Sequence, residues 1–251
     1  MHNDIDSIDG VLEALDLIIR QTASANNPLG YFAYIYRRTT AQIKTGIETN
    51  RFEDSKRMEL FDIKFARYYL DAYHNFLEQQ PVSESWKTCF EAKNEDLIIV
   101  QHLMMGMNAH INLDLAVAAS SFMEGQPIQD FKHDFMVVND ILAELTNEMQ
   151  SKLGKTSFFM FLLDWIGKKK DDQAINFSIA KAREQSWRTA QILWSLEKDE
   201  KAMFQSEVDL YVSKVSHIIK KPSSGLLKTA IKVIKTFEEK DVAVVLRKMA
   251  E

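Results

Sequence analysis

Residues 102 to 115, HLMMGMNAHINLDL, place two histidines, two asparagines, an aspartate and a glycine inside a run otherwise made of Leu, Met, Ile and Ala. At 100° per residue His102, Gly106, His110 and Asp114 form one gently inclined stripe on a helix, with Asn108 and Asn112 on another side. A helix that is polar on two faces and apolar between them belongs in the middle of a bundle. Polar groups buried there need partners, since each unpaired one costs on the order of 1 to 3 kcal/mol. His110 and Asp114, at i and i+4, can bind a divalent metal ion or form an oriented general base. His102 lies about 12 Å along the axis from His110, so it contacts a different ion or a different part of a ligand. Gly106, midway, lets a ligand or a neighbouring backbone approach.

Other segments offer partners. FDIKFARYYLDAY carries Asp62 on a face continued by Phe65, Tyr69 and Tyr73, a carboxylate that could complete a metal shell or orient a histidine. DFKHDFMVVNDILAEL supplies His133, Asp134, Asn139 and Asp140, and AKAREQSWRTAQIL puts Arg183 and Trp187 on one face. A buried arginine beside tryptophan answers a carboxylate or an anionic ligand. These residues define the expected site. His110, Asp114 and Asp62 are its chemical centre, and His110, Asp114 and Asp134 are the ligands for a divalent ion of open identity. His102, Gly106, Asn108, Asn112, Asn139, Arg183 and Trp187 contact substrate. The alternative is a structural network pairing Asp62 and Asp114 with Arg183 and His110.

The elements that must position these groups are helices. Only 8 glycines and 4 prolines punctuate 251 residues, and the apolar spacing is helical nearly throughout. The spacing predicts a single all-α domain over 1–251 around a central helix at about 95–121. Asp6 or Ser7 caps a first helix with Ile8, Val11 and Leu15 on one face, and Asn27-Pro28 opens a second. A third runs over about 55–79, and a short one carries Trp86. Gly125 and Pro127 stop the central helix. Later helices are expected at about 130–152, 157–168, 174–196, 200–220 and 223–249, the last with a basic amphipathic face read as packed rather than membrane-bound.

Composition excludes some functions. A net charge of -5 with no extended basic run argues against a nucleic-acid surface. The lone Cys89 excludes an intramolecular disulfide and a multi-cysteine zinc site, and is expected as a small buried hydrophobe. The acidic first residues lack the basic region of an export signal, and no apolar run reaches the roughly 18 residues that would cross a bilayer, so a soluble, cytoplasmic protein is expected. No GxSxG, P-loop or Rossmann glycine pattern is present.

Phe61-Asp62 with Phe65-Ala66 and Tyr69-Leu70, the run HLMMGMNAHINLDL, Asp134-Phe135 with Asn139, and Arg183 with Trp187 together resemble a bacterial helical family of unknown function over most of the chain. That resemblance implies a helical domain and no reaction. His110-x-x-x-Asp114 is also similar to the zinc-dependent phospholipase C and P1 nuclease group, which uses a histidine and aspartate one turn apart. Six histidines are too few for that group's three-metal cluster and its N-terminal tryptophan ligand is absent, so the similarity implies a site of one or two metals. The expected function is hydrolysis of a small molecule, metal-assisted or by general acid and base. The alternative is a non-catalytic helical protein that binds an apolar ligand or assembles as an oligomer, with MMGM as adaptable lining.

Overall fold

The computed structural model describes residues 5–153 and 179–250. Ser7 starts α1 (Ile8–Ser24) by accepting the Gly10 N–H on its hydroxyl. Asn27 accepts the Leu29 N–H at the head of α2 (Leu29–Glu48), and Asp54 and Ser83 cap α3 (Ser55–Leu77) and α4 (Glu84–Glu91) in the same way. The central helix follows as α5 (Ile99–Ala109), one π turn over His110–Asp114, and α6 (Leu115–Phe122). After a 3-10 turn at Ile128–Phe131 come α7 (Lys132–Leu153), α8 (Ile179–Ser195), α9 (Lys198–Lys220), α10 (Gly225–Phe237) and α11 (Val242–Ala250). No strand occurs among the described residues, so the protein is all-α. No helix among them is long and apolar enough to cross a membrane. The helix expected at 157–168 and the first residues of the one at 174–196 lie outside the described residues.

The expected terminal helix over 223–249 is two helices. Glu238 leaves the helical path, Asp241 accepts the Val244 N–H, and Asn26 accepts the Val242 N–H, so a new helix is capped where a continuous one was expected. The central helix also starts later than expected, at Ile99.

Every residue of α5 is buried, which fits a helix enclosed by α2, α4 and α9. Its polar residues on the α9 side are satisfied locally. Gln101 donates to the carbonyls of Ile219 and Lys220, the orphan acceptors at the end of α9. Two turns on, Asn108 donates to the Val212 carbonyl and the Ser216 hydroxyl, and its own oxygen accepts from Asn112. Asn108 and Asn112, expected to touch substrate, form this clamp to α9. Further along, α6, with Ala116, Ala119 and Ser120 buried, packs on α8, where Ala182, Ser186 and Ala190 are buried at four-residue spacing. Met104, Met105 and Met107 are core, as is Cys89, whose thiol burial pushes up to about 12.

Gly106 faces α2. A Cβ there would sit 2.5 Å from Phe32 Cγ and 2.9 Å from Phe32 Cβ. Phe32 has nowhere to go, because the rings of Tyr36, Tyr69, Trp86 and His110 surround it at centroid distances of 5.0 to 5.8 Å. The missing side chain therefore admits a neighbouring phenylalanine, not a ligand. Gly106→Ala is expected to cost about 1 to 3 kcal/mol in chemical denaturation through overpacking. Unchanged stability would contradict this contact.

Candidate functional site

The π turn carries the two residues with the most chemical promise. Leu115 donates its N–H to the His110 carbonyl, five residues back, and the wider turn holds His110 and Asp114 one above the other. His110 Nδ1 lies 3.3 Å from Asp114 Oδ2, and the same oxygen accepts Trp86 Nε1–H from α4 at 2.9 Å. Both residues are 4% exposed. Around the imidazole, Phe65 stacks at 3.9 Å with an interplanar angle of 12°, Tyr36 meets it edge-on at 4.3 Å, and Phe32 and Tyr69 close the shell.

Such a setting removes charge. Burial, reinforced by the positive charge of Arg183, pushes His110 well below the usual imidazole range. Burial pushes the Asp114 carboxyl well up, against the Trp86 hydrogen bond that favours its ionised form. A neutral Asp114 whose Oδ2 is the carbonyl oxygen can accept from both Trp86 Nε1–H and His110 Nδ1–H. That tautomer leaves His110 Nε2 as a bare lone pair, and Nε2 is buried with no partner.

Asp62 on α3 is 1% exposed, and neither of its oxygens has a partner. Burial alone raises its carboxyl to about 7. It lies one turn before Phe65, the ring stacked on His110. Burial pushes the Tyr36 phenol well up; Asp62 and Asp114 push it further when ionised, and the Thr40 side chain opposes them. The Tyr69 hydroxyl is likewise buried and unpartnered, while the buried Tyr36 hydroxyl has the Thr40 side chain beside it as a hydrogen-bonding neighbour. Three helices thus deliver an open acceptor, a carboxyl poised near neutrality and phenol hydroxyls to one aromatic interior.

The remaining expected residues separate into other places. Asp134 accepts the Glu53 and Asp54 N–H groups and pairs with Arg57 at 2.7 Å. Burial would raise its carboxyl, but Arg57 and the two N–H groups outweigh that and hold it below the usual range. The expected metal set of His110, Asp114 and Asp134 is therefore not assembled. The converging group of three among the described residues is Glu53, His133 and Asp134, and there the buried carboxylate is already matched by a guanidinium. Arg183 donates to Asn139 Oδ1 and the Phe135 carbonyl, and lies over the Phe135 ring at 4.6 Å. It meets neither Asp62 nor Asp114 in an ion pair, so the expected four-residue network does not form. Burial lowers Arg183 to about 9. Trp187 packs on Phe135 with its Nε1–H unpartnered. His102 lies apart, beside Tyr31.

Tyr36 and Trp86 belong to the site without having been expected there. A signal existed for Trp86: a buried indole N–H requires an acceptor, and few acceptors are available inside a helical core. Tyr36 sits one turn after Phe32 in an aromatic-rich stretch that reads as plain core.

A model described as a family of unknown function (DUF5995) matches residues 8–222, and the chain belongs to that family. No curated protein and no solved structure matches the chain. Residues 8–222 contain every member of the His110 cluster.

The Asp62 carboxyl makes stability depend on pH with a definite sign. Its folded pKa of about 7 exceeds the unfolded value of 3.8, so the native state holds more protons between them and stability falls as pH rises through that window. Asp62→Asn lacks this loss. The variant is expected to match wild type near pH 4 and to exceed it by up to about 4 kcal/mol at pH 8 in denaturant melts. A stability difference that stays flat from pH 4 to 8 would contradict the burial of an unpartnered carboxyl.

Proposed function

We propose that this member of a family of unknown function is an enzyme that hydrolyses a bond in a small molecule by general acid-base catalysis at the His110 π turn. The observation that carries the reading is a set of buried polar atoms left open in this part of the core: His110 Nε2 and both oxygens of Asp62, a carboxyl near enough to Tyr36 to act on its phenol. Leaving them unpaired costs on the order of 1 to 3 kcal/mol each, a cost that a structural core has no reason to keep and a substrate or reacting water removes.

The roles follow from the protonation states. His110, oriented through Nδ1 by Asp114, takes a proton from water at Nε2. Asp62, near half-protonated at neutral pH, returns one to the leaving group, and the Tyr36 hydroxyl donates to the oxygen that gains charge. Arg183 is a buried cation held by neutral acceptors, and its field reaches His110; it favours a substrate with an anionic group. His110 is 4% and Asp62 1% exposed, so substrate enters through local opening of the bundle. The metal-assisted version of this chemistry has less support, since His110, Asp114 and Asp62 do not converge as a three-ligand set.

A panel of chromogenic esters, phosphoesters and glycosides tests the reading with wild type, His110→Gln and Asp62→Asn. Turnover is expected to survive EDTA and to fall at least about 100-fold in each variant, while Asp62→Asn melts no lower than wild type. Chelator-sensitive turnover untouched by His110→Gln would contradict it. So would two inactive variants that each lose several kcal/mol in a protein with no turnover.

A further inference from the structure

The inner side of α9 is engaged along its length. Val212, Ser213, Ser216 and Ile219 are buried there. The Ser213 and Thr88 hydroxyls share a hydrogen bond of 2.9 Å, and Asp209 accepts the Glu84 and Ser85 N–H groups at the head of α4. With the bonds from Gln101 and Asn108 to its backbone, these contacts fix α9 against α4 and α5.

The outer side has no such partners among the described residues, yet it is far from polar. Met203 and Tyr211 are each 68% exposed, Leu210 50% and Ile218 48%. At 100° per residue these four share an arc of about 100° with Glu200, Glu207 and Lys214, a seam about six turns long. It is charged along its middle and apolar on both flanks. Large apolar side chains gathered on one exposed helix face mark a contact surface, and methionine and tyrosine are enriched in such surfaces.

The order of the charges selects the partner. Glu200 and Glu207 lie in the first half of the seam, Lys214 lies in the second, and Lys221 ends the helix; all four are exposed. None of them pairs with another side chain among the described residues. Of the nearby lysines, Lys201 and Lys220 are already matched by Glu124 and Glu95, and Lys198 lies on the far side of the helix from the seam. A second copy of α9, laid antiparallel about a twofold axis between Leu210 and Tyr211, brings its Lys214 level with Glu207 and its Lys221 level with Glu200. Met203 comes level with Ile218 of that copy, and Leu210 and Tyr211 of both copies surround the axis. A parallel copy would instead set Glu207 against Glu207 and Lys214 against Lys214. The face therefore complements itself in one orientation and repels itself in the other.

We infer that the outer face of α9 is a homodimer interface, in which two chains pair their α9 helices antiparallel about a twofold axis at Leu210 and Tyr211. The inner face keeps its bonds to α4 and α5, so the bundle pairs without rearrangement. The interface does not rest on the reaction proposed for the His110 cluster.

Sedimentation equilibrium of the full chain over about 1 to 300 µM tests the interface, a range chosen because one helix pair makes a small contact of modest affinity. A reversible monomer–dimer equilibrium is expected. Glu207→Lys sets like charges level on both sides of the axis and is expected to weaken the dimer at least about tenfold, as is Lys214→Glu. The two substitutions together reverse each pair and are expected to restore association to within about threefold of wild type. Both positions are exposed, so all three variants are expected to melt as wild type does at low concentration. A chain monomeric throughout that range, which would leave the face to a different partner, would overturn the inference. So would a dimer that neither single substitution weakens, or a double variant that stays dissociated.

Discussion

An imidazole and two carboxyl groups enclosed by aromatic rings are forced toward their uncharged forms, and the architecture of the central helix follows from that constraint. Water would stabilise the charged forms, but His110, Asp114 and Asp62 are each at most 4% exposed. Asp114 is tolerated because Trp86 and His110 converge on one of its oxygens. His110 is tolerated because Phe65 covers one face and Asp114 occupies one nitrogen. The π turn brings these requirements together, and the gap at Gly106 lets Phe32 close the aromatic shell from α2.

The rest of the core shows what satisfied burial looks like in the same molecule. Gln101 and Asn108 spend their hydrogen-bonding groups on the backbone of α9. Asp134 is matched by Arg57 and two N–H groups. Arg183 finds an amide oxygen and a carbonyl. Asp62 with two open oxygens and His110 with an open Nε2 are not satisfied in this way, and neither are the buried Ser186 hydroxyl and Trp187 Nε1–H; the proposed chemistry gives the first two a use. Evolution could have placed a leucine at either position and obtained a more stable bundle.

Much of this was legible from residue types and spacing. The periodicity gave the all-α class and most helices, and the polar run at 102 to 115 marked the central one. His110 and Asp114 do meet, as their spacing requires. The helical stripe from His102 through Gly106 to His110 does run along α2, but its members serve different ends: His102 a cavity with Tyr31, Gly106 the Phe32 ring, His110 the aromatic shell. A helical wheel shows which residues share a face and cannot show which neighbour covers each turn of it. The π turn was hidden because it depends on packing and leaves no residue-type mark. The break at Glu238 is hidden because the groups it meets lie far along the chain: Glu238 accepts the Ile99 N–H 139 residues away, and Asn26 caps the helix that follows. Charge alone assigns Arg183 to a carboxylate or an anionic ligand, whereas its position on α8 gives it Asn139 and a carbonyl.

The proposed chemistry requires His110 to be neutral, protonated at Nδ1 and open at Nε2. Nitrogen-15 spectra of histidine-labelled protein, assigned with His110→Gln and recorded from pH 5 to 8, read all three properties at once. The expected result is a His110 ring whose Nδ1 carries the proton and whose Nε2 shows the shift of a bare lone pair at every pH in that range. A ring that takes up a second proton near pH 6.5, or one protonated at Nε2, would contradict the account.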